Sequence, residues 1–449
     1  MSFPSYPKYK PSGVEWLAEV PESWEVRRIK HLGKTITGGT PKTEEPEYWT
    51  DGDVPWLPSG KVQNNSIHKE DADTFITKRA LAESAAKLIR PGSALIALTG
   101  ATCANAAFLT FESTANQSVV GIEPKLNADG RFIYYSLLSQ REQVLTHKSG
   151  GAQGGINQED VRNLVIAAPE KAEQTAIAEF LDRETGKIDG LVAEQRRLME
   201  LLKEKRQTVI SHAVTKGLNP HAPMKPSGIE WLGDVPVGWE IKPLRSVFKF
   251  SKGLTITKEN LQDEGVSCVN YGEIHSKYGF RLNPAINPLR CVAPEYLSSN
   301  PEALISGGDF VFADTSEDLE GSGNFTHLCS GDPIFAGYHT IIARPRKCIS
   351  SLFLAYQFHT SVFRSQIQSK VKGVKVFSIS QGILKAAKCL LPPHDEQTAI
   401  AEFLESELLK FDTLTAEAQR AIDLLQERRT ALISAAVTGQ IDVRQPPKN

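Results

Sequence analysis

The sequence predicts an α/β (α+β) protein in which an antiparallel coiled coil of two long helices separates two globular mixed α/β domains, as a pseudo-twofold tandem repeat. Three observations predict this fold. Two segments of the 449-residue chain recur about 220 residues further on, a proline-free helical stretch follows each domain, and the domains contain short β-branched and aromatic runs bounded by Gly and Pro. Hydrophobic residues make up 40%, which suits packed cores.

The duplication rests on two pairs of matching segments. Residues 10–21 and 225–236 share Lys-Pro-Ser-Gly-(Val/Ile)-Glu-Trp-Leu and are offset by 215 positions. Residues 173–181 and 396–404 are both Glu-Gln-Thr-Ala-Ile-Ala-Glu-Phe-Leu, offset by 223. Nine identical residues in a row indicate a duplicated unit, and the period is far too long for a solenoid.

The parts between the matching segments, 26–168 and 241–391, share little sequence with each other. They contain most of the Gly and Pro, with short apolar runs such as 93–98 and 339–343. Short strands separated by turn residues predict a mixed α/β domain in each half.

The second matching segment begins a long helix in each half. From Ala172 to about Ala213 there is no Pro, and Pro169 and Pro392 precede the two helices at equivalent positions. Apolar residues recur in heptads, which is typical of a coiled coil. The predicted seam residues are Leu181, Ile188, Leu191, Leu198 and Leu202, with Leu404, Phe411, Leu414, Leu425 and Leu432. The alternative is a single amphipathic helix lying on its own domain, but two matching seams favour pairing.

Charges predict the orientation of the pair. A parallel pair in register would bring Glu184 opposite Glu407 and Lys205 opposite Arg428, whereas an antiparallel pair brings opposite charges toward each other. Each contact is worth about 0 to 1 kcal/mol when exposed, yet the sign favours the antiparallel arrangement. About 36 residues of helix span roughly 50 Å, which would hold the two domains apart.

Motifs for catalysis are missing from the sequence. It has no GxxxxGK[ST] loop, no GxGxxG and no HExxH, and its six cysteines are isolated. We therefore expect no catalytic residues, no metal and no cofactor in this chain. No stretch is apolar enough for a membrane helix, and the N-terminus has no apolar signal core, so we expect a cytoplasmic protein.

The net charge of -2 hides an uneven distribution. Residues 170–206 and 394–429 hold 18 of the 53 acidic and 12 of the 51 basic residues, so the rest of the chain is net +4. Acid-free basic stretches begin both domains, and another runs from Lys370 to Lys388. They suit phosphate contacts, although a solvated surface is the alternative explanation.

At this point the chain resembles a known family, the specificity subunits of type I restriction–modification systems. The resemblance covers nearly the whole chain. It rests on the Lys-Pro-Ser-Gly segments, on Gly38-Gly-Thr-Pro41 with Tyr48-Trp49, on 116–122, on the Glu-Gln-x-x-Ile-Ala-x-Phe-Leu helix starts, and on 269–273 and 336–342.

The resemblance implies that each globular domain is a target recognition domain for one half of a bipartite, asymmetric DNA site. The helices would form the spacer that sets the gap. The predicted segments are 1–25, an N-terminal segment packing beside the C-terminal helix; 26–168, recognition domain 1; 169–217, spacer helix 1; 218–240, a linker repeating the N-terminus; 241–391, recognition domain 2; 392–441, spacer helix 2; and 442–449, a tail.

The resemblance also implies the partners. They are double-stranded DNA, two methylation subunits that use S-adenosylmethionine, and restriction subunits that use ATP and magnesium for translocation and cleavage. This chain would direct adenine methylation and restriction without catalysing either. A coiled-coil scaffold and an unrecognised DNA-modifying enzyme are the alternatives.

Candidate DNA contacts are polar and basic residues of the two domains. The predicted base contacts are Thr40, Lys61, Gln63, Asn64, Gln117 and Gln153 in the first domain and Thr255, Asn270, Tyr271, Asp314, Ser316, Tyr338 and His339 in the second. The predicted phosphate contacts are Arg28, Lys34, Lys148, Lys252, Lys370, Lys372 and Lys375.

Overall fold

The computed structural model describes residues 3–146, 154–229, 232–329, 331–346, 349–373 and 375–445. The chain forms two compact units. Unit 1 comprises residues 1–196 and 419–449, and unit 2 comprises residues 197–418. Each long helix begins in one unit and ends in the other.

Unit 1 contains twelve of the strands that the structure describes, together with short helices and the first long helix. The strands are β1 (Tyr9–Pro11), β2 (Glu19–Pro21), β3 (Glu25–Arg28), β4 (Gly33–Thr37), β5 (Val54–Leu57), β6 (Asn65–Ile67), β7 (Phe75–Ile76), β8 (Ser93–Ala97), β9 (Ala106–Leu109), β10 (Thr114–Ala115), β11 (Val119–Pro124) and β12 (Val165–Ala168). The helices are α1 (Ile29–Leu32), α2 (Lys78–Glu83), α3 (Gly130–Ser139), α4 (Arg141–Thr146), α5 (Gln158–Asn163) and α6 (Lys171–Lys216), which continues into unit 2.

A five-stranded mixed sheet of order β4-β11-β8-β9-β6 forms the centre of unit 1. A three-stranded sheet, β10-β5-β7, accompanies it, and β3 pairs with β12. Every residue of β8 is buried, because apolar clusters lie on both faces of the central sheet. One cluster includes α3 and the start of α6, and the other contains Ile36, Leu57 and Leu95. The mixed α/β prediction is confirmed.

Unit 2 repeats most of these elements and adds others. The strands are β13 (Met224–Pro226), β14 (Asp234–Pro236), β15 (Glu240–Pro243), β16 (Phe248–Lys252), β17 (Val266–Val269), β18 (Phe280–Leu282), β19 (Arg290–Val292), β20 (Leu304–Ile305), β21 (Phe310–Ala313), β22 (Thr315–Ser316), β23 (Phe325–Leu328), β24 (Ile334–Ala336), β25 (Thr340–Pro345), β26 (Phe377–Ser378) and β27 (Lys388–Leu391). The helices are α7 (Leu244–Val247), α8 (Tyr271–Ser276), α9 (Tyr296–Ser299), α10 (Ser351–His359), α11 (Ser361–Gln368), α12 (Gln381–Ala386) and α13 (His394–Val437), which continues into unit 1.

The central sheet of unit 2 has the order β16-β25-β21-β23-β18, which matches the central sheet of unit 1 strand for strand. In both sheets the last two strands of that order are parallel, as β6 with β9 and β18 with β23. The smaller sheet, β19-β17-β24-β20, has one strand more than its counterpart. Two domains with little common sequence therefore have one topology.

A buried glutamine joins each long helix to its globular domain. The Gln174 side chain accepts a hydrogen bond from the backbone N–H of Asp129 at 3.0 Å and donates to the carbonyls of Pro169 and Asn127. In unit 2, Gln397 accepts from the N–H of Ser350 at 3.0 Å and donates to the carbonyl of Pro392. Asp129 and Ser350 are the N-caps of α3 and α10, so the repeated Gln ties two helix starts together.

The glutamate beside each glutamine binds a flanking segment. Glu173 accepts the hydroxyl of Tyr6 at 2.8 Å in unit 1, and Tyr9 donates its hydroxyl to the Gly439 carbonyl at 3.0 Å. In unit 2, Glu396 accepts the indole N–H of Trp239 at 3.1 Å. Tyr6 and Trp239 lie within four residues of the other repeated blocks, 10–21 and 225–236, so in each unit the start of the long helix contacts a segment beside the other repeated block.

The long helices run antiparallel within each unit. In unit 1, Leu181 near the start of α6 shares a core with Ile433 near the end of α13, while Asp189 further along α6 pairs with the earlier Arg429 at 2.9 Å. In unit 2, the end of α6 packs with the start of α13, and Arg206 pairs with Asp412. The two ion pairs occupy equivalent positions of the repeat, and the antiparallel prediction is confirmed.

Three of the predicted seam residues, Leu191, Leu198 and Leu414, lie outside the buried seam. Leu191, Leu198 and Leu414 are 47%, 42% and 46% exposed, whereas Thr185, Val192, Leu408 and Ile422 are buried. For α6, the cause lies in the globular domain of unit 1. The Tyr135 hydroxyl donates to the Asp182 carboxylate at 2.7 Å, and the Arg131 guanidinium donates to the same carboxylate at 2.8 Å, which fixes the rotation of α6 about its own axis. Adjacent helix positions point about 100° apart, so one position decides which side is buried.

Replacing the buried glutamine should destabilise the fold. We expect Gln174→Ala to lower the free energy of unfolding by about 2 to 4 kcal/mol, because it leaves one buried N–H and two carbonyls without partners. Gln207→Ala, at an exposed position of the same helix, is the matched control and should change it by about 0.5 kcal/mol or less. Urea unfolding of both variants measures the difference, and equal effects would contradict the role of Gln174.

Polar substitution should distinguish the two sides of the helix. We expect Val192→Gln to reduce the free energy of unfolding by about 1 to 3 kcal/mol, since it buries an amide without a partner. The neighbouring Leu191→Gln should cost about 0.5 kcal/mol or less, because that side chain is already half exposed. Thermal unfolding provides the comparison, and a greater loss for Leu191→Gln would refute the observed seam.

Candidate nucleic-acid interface

In unit 1, two loops with polar side chains meet beside the central sheet. The segment after β4 carries Thr40, and the turn before β11 carries Gln117. The Thr40 hydroxyl donates to the Gln117 Oε1 at 2.5 Å, and the N–H of Gly39 donates to the Ala115 carbonyl at 2.8 Å. Both polar side chains are hydrogen-bonding groups suited to base edges, and the structure brings them together.

The other candidate base contacts of unit 1 follow β5. Lys61 forms an ion pair with Asp73 at 2.8 Å, and its ammonium lowers the pKa of that carboxyl. Gln63 is exposed and donates to the Gly60 carbonyl at 2.7 Å. Asn64 has a left-handed backbone, φ 61°, and its Oδ1 accepts the N–H of Ala106 at 3.0 Å, so its amide holds two strands together. Gln153 lies outside the described residues.

In unit 2, the carboxyl ends of the parallel strands β17 and β24 bring aromatic side chains together. The Tyr271 ring lies 5.7 Å from the Tyr338 ring and 5.3 Å from the His339 ring, centroid to centroid. The Asp314 Oδ1 lies 3.1 Å from the His339 Nδ1, and His339 has a left-handed backbone, φ 54°. Strained non-glycine residues of this kind concentrate at functional sites.

These unit 2 side chains can act as donors and acceptors toward a base edge. Burial, followed by the nearby Glu273, raises the pKa of Tyr338, so its hydroxyl remains protonated at neutral pH. When Asp314 accepts from the Nδ1 of His339, the Nε2 of the same ring is an acceptor in the neutral form and a donor in the charged form. Thr255 is exposed on the segment after β16, and its position is equivalent to that of Thr40, which follows β4 in unit 1.

Two candidates of unit 2 are interior residues, and here the structure differs from the prediction. Asn270 is 1% exposed, and its Oδ1 accepts the N–H of Tyr338 at 3.2 Å. Ser316 is 4% exposed, and its Oγ accepts the N–H of Asp318 at 3.4 Å. Asn270 follows the buried end of β17 and Ser316 is the buried end of β22, so both are interior and support the neighbouring loops.

The described candidate phosphate contacts are exposed basic residues in different places. Lys252 ends β16, three residues before Thr255. Lys370, Lys372 and Lys375 follow α11, Arg28 ends β3, Lys34 lies at the start of β4, and Lys148 lies outside the described residues. Lys34 lies three residues before the end of β4 at Thr37, about 10 Å at 3.3 Å per residue, and Thr40 follows that end.

Four basic positions recur in the two units on equivalent elements. They are Arg27 with Lys242, Lys30 with Arg245, Lys34 with Lys249, and Arg162 with Lys385. The sequence analysis did not single out Arg162 and included Lys385 only within the basic stretch from Lys370 to Lys388, although the offset of 223 that relates the long helices also relates these two residues. By contrast, Gln117 corresponds to Tyr338, since each stands two residues after equivalent parallel strands. The two units thus share the basic positions and differ at the loops.

The described part of the chain contains no group of three or more His, Cys, Asp or Glu side chains arranged to hold a metal ion. Within the same residues, no helix combines the length and the hydrophobicity that crossing a bilayer requires.

Comparison with known proteins gives consistent results. The family model for the type I restriction modification DNA specificity domain matches residues 21–195 and 236–423. The chain is 23% identical over 429 residues to the type I restriction enzyme MjaVIII specificity subunit of Methanocaldococcus jannaschii, covering 95% of this chain and 94% of that one. It is 22% identical to the StySPI specificity subunit of Salmonella potsdam, covering 96% and 92%.

Solved structures share the fold. A chain described for complex assembly and conformational transition of the type I R-M system superposes with a TM-score of 0.72 at 16% identity, covering 93% of this chain and 98% of that one. The HsdS subunit from Thermoanaerobacter tengcongensis gives a TM-score of 0.54 at 15% identity, covering 94% and 98%. Two matched specificity domains, each ending in a long helix, account for most of the sequence, and the chain belongs to the type I restriction modification DNA specificity family.

Proposed function

We propose that this chain is the DNA specificity subunit of a type I restriction–modification complex, and that each globular domain reads one half of a bipartite, asymmetric DNA site. The observation that carries the proposal is the contrast between the units. They share one topology and four basic positions, but Gln117 in one corresponds to Tyr338 in the other. Shared charges suit the uniform phosphate backbone, and different polar side chains suit two different base sequences.

The long helices act as the spacer between the half-sites. Each is anchored to a globular domain at its first turn, by Gln174 and by Gln397. A helix rises about 1.5 Å per residue, so in this proposal the length of the helices fixes the gap. Ion pairs such as Asp189 with Arg429 add little stability when exposed, and their contribution is to favour one register.

The same helices offer a docking surface to partner subunits. Unit 1 exposes Leu191 and Leu424, and unit 2 exposes the equivalent Leu414 and Leu201. The recurrence of exposed leucines at equivalent positions of both units supports a docking surface that is used twice. One copy in each unit supports the binding of two identical methylation subunits.

In this proposal the chemistry belongs to the partners. Methylation subunits supply S-adenosylmethionine chemistry at adenine, and restriction subunits use ATP and magnesium. The chain itself contributes binding and orientation and carries no cofactor, and it works in the cytoplasm with the host DNA.

Methylome sequencing tests the proposal directly. We expect a host that expresses this chain with its methylation subunits to carry methyladenine at one asymmetric motif, split by a gap of fixed length. A continuous motif would contradict the two-domain reading of DNA. Purified chain incubated alone with DNA, magnesium and S-adenosylmethionine should neither methylate nor cleave, and turnover by the chain alone would support an unrecognised enzyme instead.

Substitution of His339 should affect one half-site. We expect His339→Asn to cost about 1 to 3 kcal/mol of discrimination between bases of the second half-site and to leave the first unchanged. Asn tolerates the left-handed backbone, so the substitution tests the side chain rather than the strain. Methylation rates of the assembled complex on duplexes with single base changes measure this effect.

The matched control for that substitution is His221→Ala, at an exposed histidine of the segment that follows α6. It should leave both half-sites unchanged. Loss of discrimination in the first half-site, or in both equally, would refute the assignment of His339 to the second.

A further inference from the structure

Two tryptophans of unit 1 hold the segment that carries Thr40. The indole N–H of Trp56 donates to the Gly39 carbonyl at 3.0 Å, and the indole N–H of Trp49 donates to the Lys42 carbonyl at 3.0 Å. The two rings contact each other edge to face, with centroids 5.2 Å apart and planes at 88°. Each indole therefore fixes one end of a four-residue segment and also supports the other indole.

The neighbouring backbone leaves little room around the two glycines, Gly38 and Gly39, at the start of this segment. A Cβ on Gly38 would lie 2.2 Å from the Asn116 carbonyl oxygen, and a Cβ on Gly39 would lie 2.4 Å from the Ala85 backbone. The N–H of Gly38 donates to the Val119 carbonyl at 3.0 Å. The segment thus packs against the backbone of the Gln117 turn and of Ala85, two indole N–H groups bind its carbonyls, and the Thr40 hydroxyl reaches Gln117.

We propose that Trp49 and Trp56 are positioning residues for recognition of the first half-site. They act through the carbonyls of Gly39 and Lys42 and hold Thr40 against Gln117, so that these two side chains meet the DNA as one rigid pair. A preorganised pair loses less conformational entropy on binding and discriminates better between bases. This inference rests on the proposed function, because it assumes that Thr40 and Gln117 contact DNA.

The two indole hydrogen bonds are a feature of unit 1. At the position equivalent to Trp56, unit 2 has Cys268, and there the buried Asn270 holds the turn by accepting the N–H of Tyr338. Loss of an indole N–H should therefore change the reading of one half-site and leave the other intact, which a general loss of stability would not do.

The test uses the full chain assembled with its methylation subunits. Trp56→Phe keeps a ring against Trp49 and removes the N–H that binds the Gly39 carbonyl. On duplexes that carry the site found by methylome sequencing, with single base changes in either half, we expect discrimination in the first half-site to fall by about fivefold. Discrimination in the second half-site should be unchanged, and KM for the cognate duplex should rise with little change in kcat.

Trp239→Phe is the matched control, because it also removes an indole N–H that is hydrogen bonded, but to Glu396 near the start of α13 and not to a segment that carries a candidate base contact. It should lower the melting temperature without altering half-site preference. Combining Trp56→Phe with Thr40→Val should give a loss no greater than that of the stronger single variant, because both act on the same contact.

Four results would overturn the inference. Wild-type discrimination by Trp56→Phe would refute it alone and leave the proposed function intact, and so would an equal loss in both half-sites. Additive losses in the double variant would show that Trp56 does not act through Thr40. If methylome sequencing found no bipartite site, the proposed function and this inference would fail together.

Discussion

The buried glutamine at the start of each long helix is the interaction on which the rest of each unit depends. Gln174 and Gln397 each bind the N-cap of a helix in the globular domain and a carbonyl just before the long helix. A buried amide without these partners would cost more than the bonds themselves contribute, so the arrangement has few alternatives. These hydrogen bonds therefore fix the direction of each long helix relative to the globular domain that carries the candidate base contacts.

The two units share some features and differ in others. The buried glutamine contacts, the sheet order and four basic positions recur in both units, whereas the side chains at the carboxyl ends of the parallel strands differ. The same scaffold is therefore compatible with many sequences at the loops, because those loops lie on the surface and contribute little to the core. A protein that must recognise two unrelated half-sites needs this combination.

The candidate site could be predicted in part. The sequence predicts base contacts at polar residues in loops. The structure brings together two groups of them, Thr40 with Gln117 and Tyr271 with Tyr338 and His339. The same criterion also selects Asn270 and Ser316, which are interior. Burial depends on which strands pack over a residue, and residue type and local pattern do not contain that information. The hydrogen bonds from Trp56 to the Gly39 carbonyl and from Trp49 to the Lys42 carbonyl could not be predicted from the sequence either, because they join residues 17 and 7 positions apart.

The amino-acid sequence by itself determined the duplication, the two domains, the long helices and their antiparallel pairing, because repeats, prolines, heptads and the charges along each helix can be read from the order of the residues alone. Only the tertiary structure decided which side of each helix is buried. Leu191 and Val192 are neighbours with similar hydrophobicity, and both fit a heptad. The hydrogen bonds from Tyr135 and Arg131 to Asp182 rotate α6 so that Val192 is buried and Leu191 is exposed. A contact between residues far apart in the chain made that choice, and no pattern within the helix could have made it.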